Sequence, residues 1–334
     1  MSALDPAQLD DAMARLGAGS TRVLSRAVTL VENGEPRGMA LLERVYATAP
    51  HPWVIGFTGV GGAGKSTLVP RVADHLAPSG ERVAILAVDP SSPITGGAVL
   101  GDRIRSMTGQ HEDVYFRSLA SRGGTGGLST CIADVVRLMS AAGRRIVLVE
   151  TVGAGQSEVA IRDVAHATVV VTAPGLGDDI QAMKAGILEI GTVLAVNKAD
   201  LPGADEAANT LQAVMALAPG AAHLKEGVNE PDATHPLRWF PPVLKISARS
   251  GEGLDRLIGR LEEHKAFLER SGEYARRNLA RDRTRMEERL RTLLLERALR
   301  LAHDTGVWQT VDRRLQSGET DPMRAAREIV DAVH

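Results

Sequence analysis

Short aliphatic runs alternate with longer amphipathic stretches through the middle of this chain of 334 residues. Six runs suit strands: Val54–Thr58, Arg82–Val88, Ile146–Glu150, Thr168–Thr172, Thr192–Asn197 and Val243–Ser247. They are apolar almost throughout, which is typical of parallel strands that are covered on both faces. The pattern predicts an α/β domain over residues 51–268 with a mostly parallel sheet, and functional loops should leave the carboxyl ends of its strands.

The two ends of the chain have helical patterns. In residues 1–50, Asp5-Pro6 is a helix-start signal, and apolar positions at helical spacing continue through Thr21–Glu32 and Met39–Tyr46. We expect this N-terminal helical extension to pack on the main domain without taking part in chemistry. The C-terminal region, residues 269–334, is charged, helical and without strand patterns.

A stripe of apolar residues runs along the C-terminal region, formed by Leu279, Met286, Leu290, Leu293 and Leu294. A stripe outside the main core is a packing surface. It can pack back on the domain or against a second copy, and we favour a dimerisation arm and hence a homodimer.

Composition narrows the possible functions. The net charge of −2 provides no long-range attraction for nucleic acid or anionic membranes. The single cysteine, Cys131, excludes an intramolecular disulfide and a multi-cysteine metal cluster, and it suits a small apolar helix residue. Met1–Gly19 does not resemble a secretory leader, and no apolar run reaches membrane-spanning length. We therefore expect a cytoplasmic protein, or a matrix protein in a compartmented cell.

The segment after the first predicted strand fits the phosphate-binding pattern G-x-x-x-x-G-K-[ST] at every fixed position. Its glycines let backbone N–H groups surround phosphate oxygens, Lys65 can reach the β- and γ-phosphates, and the Ser66 hydroxyl can bind Mg²⁺. A helix that opens at Ser66 points its positive end at the same phosphates. The residues expected around the phosphates are Gly59, Gly61, Gly62, Ala63, Gly64, Lys65, Ser66 and Thr67.

Carboxylates end two further strands. Asp89 precedes Pro90 at the end of the second strand, where it can hold Mg²⁺ or position a water molecule. Glu150-Thr151-Val152-Gly153 ends the third strand and resembles the Asp-x-x-Gly of GTPases, with a longer acidic side chain. Glu150 is then expected near the metal, and the Gly153 N–H near the γ-phosphate. Lys65, Asp89 and Glu150 are the candidate catalytic residues.

The fifth strand ends in Asn197-Lys198-Ala199-Asp200, the guanine-recognition pattern N-K-x-D. An ionised Asp200 can accept hydrogen bonds from guanine N1–H and N2–H₂, whereas adenine would leave a carboxylate unpaired. Ser247-Ala248 matches the short element that completes base binding. The pattern therefore favours GTP over ATP.

Three connecting stretches carry weaker signals. Ser118–Gly127 is predicted to be a flexible, glycine-rich connection, and residues 219–242 a connection that contains Gly, Pro and His before the last strand. His223 and His235 lie within residues 219–242 and lack metal-ligand spacing. Pro174–Lys184 follows the fourth strand and suits either a mobile functional segment or a solvated loop.

These residues together resemble the MeaB/ArgK family, the SIMIBI-class P-loop GTPase chaperones of adenosylcobalamin-dependent acyl-CoA mutases. The resemblance covers about residues 20–270, and Gly62-Ala63 is a small departure from relatives with Pro-Gly-Val-like residues there. The segments that carry it are Val88–Pro93, Thr95–Gly97, Leu100–Arg103, Glu150–Gly153, Gly155–Glu158 and Asn197–Asp200.

The resemblance implies a P-loop G domain with helical N- and C-terminal extensions and a homodimer formed by the C-terminal arm. It places Asp102 with Ser66, Asp89 and Glu150 around Mg²⁺, and it makes Gly177–Lys184 an additional switch that signals to the partner. The implied partner is adenosylcobalamin-dependent methylmalonyl-CoA mutase, whose cofactor loading, protection and reactivation are gated by GTP binding and hydrolysis.

Four other functions stay open from the residues. A nickel metallochaperone GTPase would need a Cys/His cluster, which a single cysteine does not favour. A kinase of a transport protein lacks a recognisable phosphoacceptor site. A scaffold that only binds GTP would not need Lys65, Ser66, Asp89 and Glu150 together. A related acyl-CoA mutase could also be the one served.

Overall fold

The computed structural model describes residues 5–77, 80–90, 113–121, 127–151, 157–176, 190–216, 227–229 and 238–332. Three helices come first: α1 (Pro6–Gly17), α2 (Thr21–Glu32) and α3 (Pro36–Thr48). The alternating part contains β1 (Trp53–Gly59), α4 (Lys65–Leu76), β2 (Val83–Pro90), β3 (Val114–Ser121), α5 (Gly127–Ala141), β4 (Ile146–Thr151), α6 (Ser157–Val164), β5 (Ala167–Thr172), β6 (Val193–Val196) and α7 (Ala204–Ala216). It continues with β7 (Gly227–Asn229), β8 (Arg238–Phe240), β9 (Val243–Lys245), α8 (Leu254–Arg270), α9 (Glu273–Asp304), α10 (Val307–Gln316) and α11 (Pro322–Ala332).

The chain divides into two compact units, residues 1–278 and 279–334, so α9 begins in the first unit and ends in the second. The finer division into an N-terminal extension, a G domain and a C-terminal arm stays a prediction.

A seven-stranded sheet forms the centre of the first unit, in the order β3-β2-β4-β1-β5-β6-β9. Every neighbouring pair in this sheet is parallel. The prediction of a mostly parallel α/β sheet is therefore confirmed, and each of the six predicted strands has its counterpart. Parallel strands place their carboxyl ends at one edge, which we call the carboxyl edge; the opposite edge is the amino edge.

The seventh strand, β3, contradicts the prediction from the sequence. Ser118–Gly127 was predicted to be a flexible connection, yet β3 extends to Ser121 and α5 begins at Gly127. Arg117 hid the strand pattern, because a charged side chain in a short run does not suggest a buried strand. In the fold, Arg117 forms an ion pair with Glu32 of α2 at 2.5 Å.

The connection over residues 219–242 also contains elements that were not predicted. β7 and β8 pair antiparallel, with Val228 opposite Trp239. The Trp239 indole N–H donates to the Thr192 carbonyl at 2.8 Å. His223 and His235 lie outside the described residues.

Helices cover both faces of the sheet. On one face, α4 and α8 pack on the side chains of Ile55, Phe57 and Leu148. On the other face, α5, α6 and the three N-terminal helices pack on Val54 and Val147. The N-terminal extension therefore shares the main core, as predicted, and Cys131 packs beside that core from α5.

Polar contacts join the same N-terminal helices to α5. The Tyr46 hydroxyl donates to Asp134 Oδ1 at 3.0 Å, and the Ser140 hydroxyl donates to the Pro50 carbonyl at 2.6 Å. The Arg137 guanidinium lies over the Tyr46 ring, 4.9 Å from its centroid. The two hydrogen bonds satisfy the Tyr46 and Ser140 hydroxyls, which would otherwise be costly to bury.

The second unit contains helices and short turns and no strand over residues 279–332, as predicted. Only Ala302, Val311 and Ala325 are buried hydrophobic residues in that range. The predicted stripe is exposed: Leu279, Met286, Leu290, Leu293 and Leu294 are between 45% and 62% accessible. None of the helices in the described ranges is long and apolar enough to cross a membrane.

Candidate active site

The carboxyl edge brings the predicted segments together because four parallel strands end there. β1 leads directly into the glycine loop and α4, and β4 delivers Glu150. Asn197 follows β6, and Ser247 follows β9. Residues far apart in sequence therefore meet at one edge, as the topology of a parallel sheet requires.

Two glycines of the loop have no room for a side chain. Gly59 has φ 125°, and a Cβ there would lie 2.1 Å from the Val171 carbonyl oxygen. Gly64 has φ 87°, and its Cβ would lie 2.6 Å from Asn197 Nδ2. Since both positive φ and close approach exclude other residues, the first and last glycines of the pattern are required by the fold.

The Lys65 ammonium lies inside the curve of this loop. It donates to the Gly59 carbonyl at 2.6 Å and to the Val60 carbonyl at 2.9 Å. Lys65 is also the first residue of α4, so its charge adds to the positive end of the helix. A buried cation at a helix N-terminus, surrounded by a glycine loop, is suited to bind phosphate oxygens.

Ser66 and Glu150 meet on the α4 face of the sheet. The Ser66 hydroxyl donates to Glu150 Oε1 at 2.7 Å, and Glu150 is buried. A hydroxyl beside a carboxylate is a pair of hard oxygen donors of the kind that Mg²⁺ prefers. Among the described residues, no three His, Cys, Asp or Glu side chains are grouped as a metal site.

The other predicted metal and phosphate residues are less fully described. The Asp89 backbone lies at the end of β2, next to β4, where Val88 pairs with Thr151. The Asp89 side chain, Asp102 and Gly153 lie outside the described residues, as do residues 177–184 of the predicted additional switch.

Asn197 joins the predicted phosphate loop, Gly59–Ser66, to the segment after β9. Its Nδ2 donates to the Ala63 carbonyl at 2.9 Å, and its Oδ1 accepts from the Ala248 N–H at 3.0 Å. Asn197 is buried, so an apolar side chain there would leave a carbonyl and an N–H without these partners.

Lys198 has φ 60°, the one positive φ of a non-glycine residue in the described ranges. Its ammonium donates to the Gly62 carbonyl at 2.9 Å. The unusual backbone turns the side chain back over the phosphate loop, so the hydrogen bond helps to offset the cost of the conformation.

Asp200 is held by Ser247. The buried Ser247 hydroxyl donates to Asp200 Oδ1 at 2.6 Å, and Ser247 Oγ accepts from the Ser250 N–H at 3.2 Å. The Ser247 hydrogen bond is the main cause that lowers the pKa of Asp200 below its ordinary value. An ionised, oriented carboxylate at this edge can accept hydrogen bonds from a purine that presents N–H groups.

Three contributors to the site were missed by the sequence analysis. Ser250 orients Ser247, and the threonines directly after Phe57 and Glu150 contact each other behind the loop. Their sequence signal is weak, because a serine or threonine beside a motif has many ordinary roles. Only the strand register shows that Thr58 and Thr151 are neighbours.

The chain matches a known protein family. The family model described as "Methylmalonyl Co-A mutase-associated GTPase MeaB" matches residues 24–303. The chain belongs to the MeaB family of GTPases. The resemblance stated from the motifs is therefore confirmed, and this MeaB-family protein is a GTPase.

Relatives of the MeaB-family chain come from distant organisms. A protein of Pyrococcus abyssi named as a GTPase is 36% identical, with 97% of each chain covered. The GTPase ArgK of Escherichia coli is 35% identical over 80% of each chain. The mitochondrial methylmalonic aciduria type A homolog of Mus musculus is 30% identical, over 94% of this chain and 77% of that protein.

A solved structure has the same fold. The crystal structure of an LAO/AO transport system kinase superposes with a TM-score of 0.67 and covers 99% of both chains. Its sequence is only 23% identical, so the likeness concerns the fold. It confirms the predicted α/β fold with helical extensions for this MeaB-family protein.

Proposed function

We propose that this GTPase is a chaperone of adenosylcobalamin-dependent methylmalonyl-CoA mutase, and that GTP binding and hydrolysis gate cofactor loading, protection and reactivation of that mutase. The observation that supports the proposal most strongly is the match to the mutase-associated GTPase family over residues 24–303. The GTPase activity belongs to the family, whereas the mutase as partner is our assignment.

The phosphate end of the nucleotide is assigned to Lys65 and the loop around it. Lys65 would exchange its hydrogen bonds to the Gly59 and Val60 carbonyls for bonds to the β- and γ-phosphates. Backbone N–H groups of the glycine loop and of the first turn of α4 would bind the remaining phosphate oxygens. Gly153 would donate its N–H to the γ-phosphate.

The metal is assigned to the contact between Ser66 and Glu150. Their hydroxyl and carboxylate oxygens suit Mg²⁺, and Asp89 and Asp102 complete the proposed set. When bound, Mg²⁺ neutralises negative charge on the β- and γ-phosphates. Glu150, on its longer side chain, reaches Ser66 from the neighbouring strand.

The guanine base is assigned to Asp200, Asn197, Lys198, Ser247 and Ala248. Asp200 would accept from guanine N1–H and N2–H₂, and its bond from Ser247 keeps it ionised and oriented. Asn197 holds the base-binding loop against the phosphate loop, so base and phosphate contacts form in one fixed geometry.

Hydrolysis then requires a water molecule in line with the γ-phosphate. Lys65 stabilises the charge that develops on the phosphate oxygens. No described residue has been assigned as a strong general base, so we propose slow turnover by the free protein. The mutase would raise the rate by ordering the switch segments, including residues 177–184.

The second unit is assigned to dimerisation. Three hydrophobic residues are buried in its described range, which is a small core for a unit of its size. The exposed stripe of α9 would be covered by the same stripe of a second copy, as a two-fold interface allows. Leu290→Asp should then convert a dimer to a monomer in sedimentation, whereas the exposed Thr292→Asp should not; two dimers or two monomers would contradict this.

The chaperone function is tested by GTP turnover of the purified protein with and without methylmalonyl-CoA mutase from the same source. We expect the mutase to raise turnover and to form a complex that depends on the nucleotide. We place both proteins in the cytoplasm, the compartment predicted from the sequence. Lys65→Ala protein should bind the mutase but show strongly reduced turnover, which separates binding from hydrolysis.

Unchanged turnover together with no complex in any nucleotide state would reject the mutase as partner but leave the GTPase. In that event, the mutases of related acyl-CoA substrates should be assayed in the same way. Stimulation by one of them alone would replace the assigned partner.

A further inference from the structure

Two buried threonine hydroxyls lie directly behind the phosphate loop. Thr151 Oγ1 is 3.2 Å from Thr58 Oγ1 and 3.4 Å from the Phe57 carbonyl oxygen. Thr58 is 0% exposed and Thr151 is 1% exposed. The Thr151 hydroxyl is placed to donate to either of these β1 oxygens, and Thr58 Oγ1 is the acceptor in the contact between the two hydroxyls.

The contact lies where two central strands stop pairing. The register of β1 and β4 ends with Phe57 opposite Glu150. Beyond that point β1 continues beside β5, with Gly59 opposite Val171, and β4 continues beside β2, with Thr151 opposite Val88. The hydroxyls therefore join β1 and β4 at the first residue after their last backbone pair.

The two faces of these strands have different contacts at this level. Side chains alternate along a strand, so Glu150 points to the α4 face and Thr151 to the opposite face. On the α4 face Glu150 binds the Ser66 hydroxyl, and on the other face Thr151 meets Thr58. Thr58 immediately precedes Gly59, where the phosphate loop begins.

We propose that Thr58 and Thr151 are a positioning pair for GTP hydrolysis, in which their hydroxyl contact sets the distance between the phosphate loop and the Glu150 carboxylate. The inference rests on the roles proposed above for Ser66 and Glu150. It does not depend on the mutase. The pair touches no substrate itself; it acts through the residues that follow Thr58 and precede Thr151.

Removal of one hydroxyl at constant side-chain shape tests the pair. Thr151→Val should lower kcat of the free protein about fivefold, the factor expected for one neutral hydrogen bond. The Kd for GDP should change less than twofold, because the loop and the base contacts remain. Thr151→Ser keeps the hydroxyl and should restore kcat to within twofold of the wild type.

Thr172→Val is the matched control. Thr172 ends the neighbouring strand β5 and is 1% exposed, and its hydroxyl has no hydrogen-bond partner within the described residues. The control should therefore keep the wild-type kcat. An equal loss of kcat in Thr172→Val and Thr151→Val would overturn the proposal, since any buried threonine of this edge would then have the same effect.

Thr58→Val tests the other half of the pair and serves if Thr151→Val does not fold. It should lower kcat by a similar factor, and the double variant should be no slower than the slower single variant, because both remove one contact. Multiplied losses in the double variant, or a normal kcat in either valine variant, would overturn the proposal. All of these kcat values are measured without the mutase, so the result does not depend on whether the mutase is the partner.

Discussion

The two edges of the central sheet use polar and aromatic residues in opposite ways. At the carboxyl edge, Lys65, Asn197 and Lys198 donate to carbonyls of the phosphate loop. At the amino edge, rings stack on one another: Trp53 lies 5.3 Å from His166, and His166 lies 4.6 Å from Tyr274. Hydrogen bonds hold the loops of the carboxyl edge in place, whereas stacked rings pack together at the amino edge.

His166 shows how a polar group is accommodated at the amino edge. The Val54 N–H donates to His166 Nδ1 at 3.0 Å, so the ring proton is on Nε2 and is donated to Asn278 Oδ1 at 2.8 Å. The Tyr274 hydroxyl donates to the His51 carbonyl at 3.2 Å. These polar groups bond to the interior of the fold, so this edge contributes to the stability of the domain.

Buried polar residues of one domain can therefore have separate effects on stability and on nucleotide binding. Substitutions at the amino edge should change the free energy of unfolding and leave the nucleotide constants of the folded protein unaltered. Substitutions at the carboxyl edge should do the reverse. Four measurements, in order of decreasing effect, test this separation.

Trp53→Ala should cause the largest change. It removes a buried ring from the amino edge and should lower the free energy of unfolding by about 3–5 kcal/mol. GDP affinity of the remaining folded protein should be unchanged. Denaturant unfolding measures the free energy of unfolding, and a GDP titration of the folded protein measures the affinity. Trp308→Ala, at a half-buried tryptophan, is the control and should lower the free energy of unfolding less. Weaker GDP binding by fully folded Trp53→Ala protein would show that the two edges are coupled.

Lys65→Ala should lower turnover and leave the free energy of unfolding almost unchanged, which is the reverse of Trp53→Ala. Loss of the ammonium at the proposed phosphate site should lower kcat about 10²–10³-fold, as for removal of one essential charge-stabilising donor. The free energy of unfolding should change by less than about 1 kcal/mol. Turnover assays and urea unfolding test this, and Lys245→Ala, an exposed lysine paired with Asp205, should change neither. Retained turnover would refute the assignment of Lys65.

Asp200→Asn should change the base that is bound. Guanine loses its acceptor for two N–H groups, so the Kd for GDP should rise about 10²-fold. Xanthosine diphosphate presents N1–H beside a C2 carbonyl, and an amide can pair with both, so its Kd should fall. Competition titrations measure the ratio of the two Kd values, and Asp205→Asn, at an exposed residue of α7, should leave it unchanged. An unaltered ratio in Asp200→Asn would reject guanine recognition by this residue.

The pH dependence of stability should show the smallest of the four effects. Burial, with a contribution from the Arg277 guanidinium, lowers the pKa of His264 from 6.5 to about 3. Between these values the unfolded chain binds a proton that the folded chain does not. The free energy of unfolding should therefore fall as the pH drops below 6.5, by about 1.4 kcal/mol per pH unit.

His264→Leu removes this proton uptake. Between pH 6.5 and 5, wild-type protein should lose about 2 kcal/mol more than the variant, measured by urea unfolding at each pH. Turnover of folded protein should show no such difference. Parallel stability curves for the two proteins would mean that His264 is already protonated in the fold or is not buried in solution.

Much of the fold follows from local sequence patterns. Six strands were predicted because their residues are apolar on both faces, whereas β3 was missed because Arg117 finds its partner, Glu32, on a distant helix. Likewise, Asn197 and Asp200 were found through their motif, but their bonds to Ala63 and Ser247 were not. Contacts between distant segments depend on strand order and register, which a local pattern does not contain.

Local sequence patterns are sufficient to predict the proposed nucleotide chemistry of this GTPase: a glycine loop with Lys65 and Ser66, the acidic Glu150, and the Asn-Lys-x-Asp segment. The reason is that phosphate and guanine binding require particular residue types at close spacing. The tertiary structure alone decided that Thr58 meets Thr151, that His166 is closed inside the amino edge, and that the leucines of α9 are exposed. Those outcomes depend on which elements pack together, and a side chain's surroundings exist only after folding.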